Sequence, residues 1–455
     1  MAADAAGSSE PRAPFVTLAR WLVLGAAVGA IAGAASALFL WLLDLATHYR
    51  DTHEWLVFLL PVAGLAIGTI YERHGKSIKG GNNLVIDTLY DQGPELPLRM
   101  APMVLLGTVL THLFGGSAGR EGTAVQMGAS LGDWVSHRLR LPAGLRIEVL
   151  AAGVAGGFGS VFGTPIAGAL FGLEFVVLGR IEHRALVPAL AAGLTGDMVT
   201  RALGIEHTPY PAVPAVGLSL SVLARWLVFA AAVALVAALF IELLHLLKRL
   251  GERFLPRLGW RMAAGGVLVV LAWQAIGTSD YLGLGVPMIV RAFVDPALPE
   301  AAFAAKLAFT ALTLGAGFLG GEVTPLFFIG AALGNVLARG LGLPIGLGAG
   351  VGMAAMFAAC SNTPLALSVM AVELLGAGVL PHVLIASTLA YVLVGHRGIY
   401  PAQRLLRAKS GALLPSALAL RDIVLERPAL NRTGQKRPAP AAKGQGTGGV
   451  GPESS

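Results

Sequence analysis

G-G-S-A-G-R-E-G-T-A-V-Q-M-G, residues 115–128, interrupts two apolar segments with glycines, an arginine and a glutamate. The run before it, Ala101 to Phe114, is apolar, and a second apolar segment begins just after it. A charge in such a break is expensive if the flanking segments lie in a membrane, and intramembrane carboxylates are by default functional. The reading of the chain turns on whether they do, and on what Glu121 is for.

The composition answers the first part. Of 455 residues, 55% are hydrophobic and 13% charged, with a mean hydropathy of +0.71. A soluble domain carries roughly 25% charged residues. Long apolar runs cover Trp21–Leu45, Trp55–Ile70, Leu218–Leu244, Met262–Ile276 and Pro381–Val394. About 20 apolar residues span a bilayer core as a helix. The chain is therefore expected to be an all-α polytopic membrane protein embedded in a lipid bilayer. The opening M-A-A-D-A-A-G-S-S-E-P-R lacks the basic region of a signal peptide. Cys360 is the single cysteine, so no intrachain disulfide or cysteine metal cluster is expected.

The segment is one of a pair. L-A-R-W-L-V occurs at 18–23 and 223–228, G-R-E-G-T (119–123) matches G-G-E-V-T (320–324), and T-P-I-A-G-A-L-F-G-L-E (164–174) matches T-P-L-A-L-S-V-M-A-V-E (363–373). These pairs lie 205, 201 and 199 residues apart, a near-constant offset that marks two related halves. The expected organisation is a short cytoplasmic segment (1–15), a first repeat (16–205), a Pro-rich linker (206–217), a second repeat (218–410) and a basic tail (411–455). Arg427, Arg432, Lys436, Arg437 and Lys443 give that tail its charge. Its composition predicts disorder, and its basicity a cytoplasmic position for the termini. Nucleic-acid binding is the weaker reading of the same charges.

Helices are expected at 16–48, 54–73, 97–114, 123–138, 145–160, 164–180 and 184–203. The second half repeats them at 218–249, 259–276, 301–318, 325–340, 346–358, 364–376 and 380–395. Short, Gly- or Pro-broken helices in repeated halves are the pattern of transporters with inverted repeats. Their N-termini present unpaired N–H groups and partial positive charge, and so form anion sites. Thr164-Pro165, Thr324-Pro325 and Thr363-Pro364 each look like an N-cap followed by proline. Each cap alone is ordinary helix punctuation. Glu121 and Glu322, at equivalent positions beside two such starts, change the balance. A carboxylate at a helix start can occupy an anion's place and leave when protonated, which couples an anion to a proton.

These residues carry a family resemblance. G-R-E-G-T-A-V-Q-M-G resembles the G-R-E-G-P-x-V-Q signature of the CLC chloride channels and proton antiporters. G-G-E-V-T-P stands where that family has G-x-F-x-P, G-G-N-N-L where it has its anion loop, and Tyr400 where it has a late anion-coordinating tyrosine. The resemblance covers about residues 16–410. It implies two inverted-topology repeats, a homodimer with a pathway in each subunit, and Glu121 as the gating glutamate. Departures from the chloride-exchanger pattern are Thr123 for proline, Asn82 for serine, Glu322-Val323-Thr324 for the aromatic motif, and Phe175 where a second acid is expected. Together they look like the bacterial fluoride/proton antiporter clade. The implied function is fluoride export from a bacterial cytoplasm across the inner membrane, with fluoride and protons as substrates. The alternative is a chloride/proton antiporter or passive anion channel. Physically, fluoride is small and strongly hydrated, and needs real hydrogen-bond donors on dehydration.

The expected roles follow. Glu121 gates and carries a proton, and Glu322 is a second proton- or anion-pathway group. Asn82, Asn83, Gly119, Arg120, Gly122, Val323, Thr324 and Tyr400 are the anion-site candidates, with the choice between Asn82 and Asn83 left open. Phe327 and Phe328 are read as packing, Glu174 and Glu373 as structural ends of helices, and His112 is assigned nothing. No cofactor or metal is expected. No nucleophile–base pair, H-E-x-x-H or G-K-[ST] phosphate loop suggests an enzyme.

Overall fold

The structure is a computed structural model that describes residues 14–422 except 92, 94, 215 and 410–412. Sixteen α-helices occur among the described residues. The first half runs α1 (Pro14–Thr52), α2 (Leu60–His74, entered through a 3-10 turn at Glu54–Leu59), α3 (Asn82–Asp91), α4 (Met100–Leu113), α5 (Glu121–Arg138), α6 (Ala143–Phe162), α7 (Pro165–Glu174) and α8 (Leu186–Ala202). The second repeats it as α9 (Leu220–Phe254), α10 (Leu258–Ile276), α11 (Val286–Val294), α12 (Ala302–Ala316), α13 (Val323–Leu341), α14 (Ile345–Ser361), α15 (Pro364–Leu375) and α16 (Leu380–Leu393). Six helical segments are long and apolar enough to cross a membrane: α1, Glu54–His74, α6, α9, α10 and α13. This is a multi-pass membrane protein. Others are too short: α7, with 10 residues, extends about 15 Å against a bilayer core of about 30 Å.

Glycine sets which helices lie at the centre. On α5, Gly128 lies so close to Gly153 of α6 that a Cβ on either would overlap the other's carbonyl oxygen. Gly330 of α13 and Gly352 of α14 repeat this contact in the second half. Without a hydrophobic effect between helices in lipid, such small-residue contacts are how spans pack. Almost every residue of α14 from Leu347 to Ser361 is buried, whereas α9 turns Leu220, Leu235 and Leu239 outward, as a lipid-facing helix does.

The halves exchange caps. Glu174, ending α7, accepts the N–H groups of Leu365 (3.2 Å) and Ala366 (2.8 Å) at the start of α15. Glu373, in the last turn of α15, accepts those of Ile166 (3.0 Å) and Ala167 (2.8 Å) at the start of α7. Each carboxylate satisfies orphan donors and meets the positive end of its counterpart helix. Equivalent helices therefore run in opposite directions, and Glu174 and Glu373 are the structural ends that the repeat suggested. Thr164 and Thr363 hold the N-cap positions of these two helices, but neither hydroxyl makes a cap hydrogen bond; the glutamates of the opposite half supply it.

Three elements depart from expectation. The helix expected over 164–180 stops at Glu174, strand β1 (Val177–Leu178) follows, and the chain turns after it at Gly179 (φ +73°). β1 pairs in parallel with β2 (Arg404–Arg407), which pairs antiparallel with β3 (Leu413–Ala419). β3 lies inside the stretch expected to be a disordered tail. Leu405 packs against Leu178 and Leu420, so the folded chain reaches into the stretch expected to be a tail, as far as residue 422. Residues 423–455, with all five tail cations, and 1–13 lie outside the described residues. Helices α3 and α11 are also additional; α11 is capped by Gly285 (φ +72°), has Pro287 in its first turn, and is the counterpart of α3.

Candidate functional site

Two glycine-rich breaks meet at the centre. Gly119 donates to the Gly321 carbonyl (2.6 Å) and Gly321 to that of Gly119 (2.7 Å), an antiparallel bridge between the halves. A Cβ at Gly119 would lie 2.9 Å from the Gly321 oxygen and 3.0 Å from Glu121 Oε2, and one at Gly321 2.7 Å from the Gly122 nitrogen. Only glycine permits this approach. The bridge brings the starts of α5 and α13 face to face.

Glu121 is fully buried. Its Oε2 accepts the main-chain N–H groups of Arg120 and Thr324, both at 3.1 Å, and its Oε1 accepts the Thr324 hydroxyl. The carboxylate of one half thus sits on the N-terminus of a helix in the other, where a free anion would bind. Arg120 is a weaker partner: its Nε stands 3.6 Å from Oε1 and has no hydrogen bond. Thr324 is the second residue of α13, with Glu322 in the cap position. The N-cap expected at Thr324 is corrected: the helix begins two residues earlier than expected, with Glu322 in the cap position, which frees the Thr324 hydroxyl to reach across to Glu121.

Asn82 and Asn83 part ways. Asn83 Oδ1 accepts the Ala402 N–H (2.9 Å), tying α3 to the chain after Tyr400. Asn82 is buried with its Oδ1 unpartnered, and its Nδ2 faces Gly122. A cavity of about 200 Å³ is lined by Asn82, Thr108, Thr123, Gln126, Glu322 and Tyr400, with Lys79, Lys248, Glu252 and Arg261 also on its wall. Glu322 Oε2 has no partner and lies 3.6 Å from where a Gly122 Cβ would be. On the other side, Arg120 lines a cavity of about 450 Å³ together with Asp44, Arg50, Asp51, Glu54 and Asp280. Glu121, which lines neither cavity, is flanked in sequence and space by residues that line each.

Of the other candidates, Val323 is the first residue of α13 and its side chain is in the core. Tyr400 is 3% exposed, edge-on to Phe175. Phe327 packs among Phe162 and Phe357, and Phe328 beside Tyr281, as expected of packing residues. Sequence reading missed Thr108, whose hydroxyl is 2.7 Å from that of Thr123, and the cations Lys79, Lys248 and Arg261. A hydroxyl at helical spacing in an apolar span was the available signal for Thr108; the cations stand on helix ends that the repeat does not align with the motif.

Residues 63–395 match the voltage gated chloride channel family. A chloride/fluoride channel protein of Pseudomonas syringae pv. tomato is 47% identical over 416 residues, 89% of this chain and 91% of that protein. The crystal structure of a CLC-type fluoride/proton antiporter superposes with a TM-score of 0.83 at 35% identity, covering 87% of this chain and 100% of that one. A slow cyanobacterial Cl-/H+ antiporter, 18% identical with a TM-score of 0.74 over 91% of this chain and 99% of its own, shares the fold. With the family matched over most of its length, and the paired glycine breaks and facing helix starts in place, this chain belongs to the CLC family of voltage gated chloride channels.

Proposed function

We propose that this protein is a fluoride/proton antiporter that exports fluoride, with Glu121 as gate and proton carrier. The observation that carries the reading is the seat of the Glu121 carboxylate on the Thr324 N–H and hydroxyl. Fluoride, a strong acceptor, takes the same donors when the carboxylate leaves; protonation weakens the carboxylate's hold, because charge-assisted hydrogen bonds are about twice as strong as neutral ones. The names borne by the P. syringae relative and the superposed antiporter support fluoride as the anion.

Charge supports an orientation. Lys79, Lys248 and Arg261 line the smaller cavity, and Arg73, Lys76, Arg249, Arg253 and Arg257 belong to the same helix ends. The larger cavity carries four acids to two cations. Cytoplasmic loops are rich in Lys and Arg, so the Asn82–Glu322–Tyr400 cavity faces the cytoplasm of the bacterial inner membrane and its cations concentrate the anion. Fluoride then passes Asn82, Gly122 and Tyr400 to the Thr324 site, and leaves past Arg120. Glu322, whose Oε2 is unpartnered in the cytoplasmic cavity, relays the proton. The protein works as a homodimer with one pathway per subunit, and its termini are cytoplasmic. It performs no catalysis on a covalent bond.

The test is efflux from proteoliposomes loaded with fluoride, or separately with chloride, with proton uptake followed at once. Fluoride efflux with matching proton influx and little chloride flux supports the reading. Equal chloride flux makes it a general anion exchanger, and anion flux without protons makes it a channel, the word the P. syringae relative bears.

Two variants probe the site. Thr324→Val removes one hydroxyl while keeping shape; losing a hydrogen bond to a charged group costs about 1.5–3 kcal/mol, so fluoride affinity should fall about 10- to 100-fold in titrations of transport rate. Asn82→Ala should slow fluoride efflux with little change in thermal stability. Asn83→Ala should do the reverse, lowering the melting midpoint by freeing the Ala402 N–H.

A further inference from the structure

We propose that Asp87 is a positioning residue for the fluoride path: its ion pairs with Arg404 and Arg421 set where α3 delivers Asn82. The inference rests on the antiport reading, which places Asn82 on that path, and adds what holds it there.

Asn83, Asp87 and Tyr90 are spaced four and three residues apart, which puts them on one stripe of α3. All three meet the chain that follows Tyr400. Asn83 Oδ1 accepts the Ala402 N–H (2.9 Å). Asp87 Oδ1 accepts from Arg404 Nη2 (3.0 Å) and Arg421 Nη2 (3.2 Å), and its Oδ2 from Arg421 Nη1 (3.1 Å). The Arg404 guanidinium lies over the Tyr90 ring, 4.9 Å from its centre. Val85, Ile86 and Leu89 lie off this stripe, buried in the core. Apolar burial is non-directional, whereas the hydrogen bonds fix the helix along its axis and in rotation.

The chain beyond Tyr400 is the fixed post. Gln403 is fully buried; its Nε2 donates to the Phe175 (2.8 Å) and Ser361 (2.7 Å) carbonyls, and its Oε1 accepts from Asn362 Nδ2 (3.0 Å). The Arg404 N–H donates to the Val176 carbonyl (3.0 Å) and the Arg421 N–H to that of Pro401 (2.9 Å). The ends of α7 and α14 thus hold residues 401–404, and two guanidiniums reach from there to α3. Asn82 opens α3 directly after Gly80-Gly81, which bring no side chain to anchor the turn. Exposed ion pairs contribute little, but Arg404 is 10% exposed and Asp87 30%, and one carboxylate stands between two cations. Without its charge the arginines lose their shared counter-charge and repel each other, and α3 loosens from the post. Losing only the Asn83 bond leaves these charge-assisted ones, each about twice as strong as a neutral bond, so α3 keeps its seat when the Ala402 N–H is freed.

The test is D87N, which keeps the shape and removes the charge, with D87E to restore it. R421Q, which removes the half-exposed partner, carries the same test if D87N does not fold. In proteoliposomes D87N should raise the fluoride concentration for half-maximal efflux about tenfold, the lower end of what one hydrogen bond to a charged group contributes. The maximal rate and the proton-to-fluoride ratio should stay as in wild type, and D87E should bring the half-maximal concentration back. In an N82A background D87N should change nothing further, because residues that act through one another do not add. Hydrogen exchange of the 84–91 amides should be faster in D87N than in wild type or D87E. A half-maximal concentration unmoved by D87N, effects of D87N and N82A that multiply, or unchanged exchange in α3 would each overturn the role. If wild-type vesicles move no fluoride, or move it without protons, the antiport reading fails instead, while the exchange still decides whether Asp87 holds α3.

Discussion

Glu121→Gln should reduce proton influx to the background leak of protein-free vesicles while fluoride efflux continues and stops responding to a pH gradient. Glutamine keeps the shape of the side chain, and its amide oxygen can still accept from the Thr324 N–H. Without a charge those bonds are roughly half as strong, so the plug loosens, and the amide carries no proton. Paired fluoride-electrode and proton-uptake traces measure both consequences. Persistent coupled exchange in the variant would shift the proton-carrying role to Glu322, the other carboxylate beside the bridge.

Gly330→Val should have the largest effect on the fold. A Cβ there would overlap the Gly352 carbonyl oxygen and stand 2.7 Å from Met356 Cβ, both fixed to the backbone of α14. Overpacking usually costs about 1–3 kcal/mol, and here no flexible side chain can yield, so the upper end applies. Since α13 carries Glu322 and Thr324 at its start, the shift that accommodates valine also moves the site. The expected result is a large fall in the temperature at which monodisperse protein is lost in detergent, with loss of fluoride flux in what remains. An unchanged midpoint would mean that α13 and α14 slide freely, contrary to the close contact.

The sequence carries the membrane character, the two halves and the equivalence of Glu121 and Glu322 because each depends on composition or repetition. It carries less where the decisive fact is a contact. Thr324 reads as a cap because Thr-Pro usually begins a helix, and only the Gly119–Gly321 bridge reveals that its hydroxyl has a partner in the other half. Neighbours in sequence, Asn82 and Asn83 look alike until Ala402 engages one of them. α11 is nine residues long, too short to register as an apolar period beside full spans. The R-L-L-R strand is too polar to stand out, since its register comes from Val177 and Leu178 more than 200 residues earlier. His112 is a lone histidine in an apolar run, and only the fold sets the Thr108 and Ala118 carbonyls beside its ring nitrogens.

The exchange of caps between Glu174 and Glu373 has a consequence for descent. A contact in which residue i meets j while the equivalent of j meets the equivalent of i is the isologous pattern of a two-fold dimer. One glutamate, written once in a half-length ancestor, would cap its twin's helix and be capped in return. Tandem fusion of two such copies would then need no new interface. It would need only a connection as long as the stretch between α8 and α9, and the freedom, once the copies were joined, to change Arg120 into Gly321 and Gly122 into Val323 on one side of the axis alone.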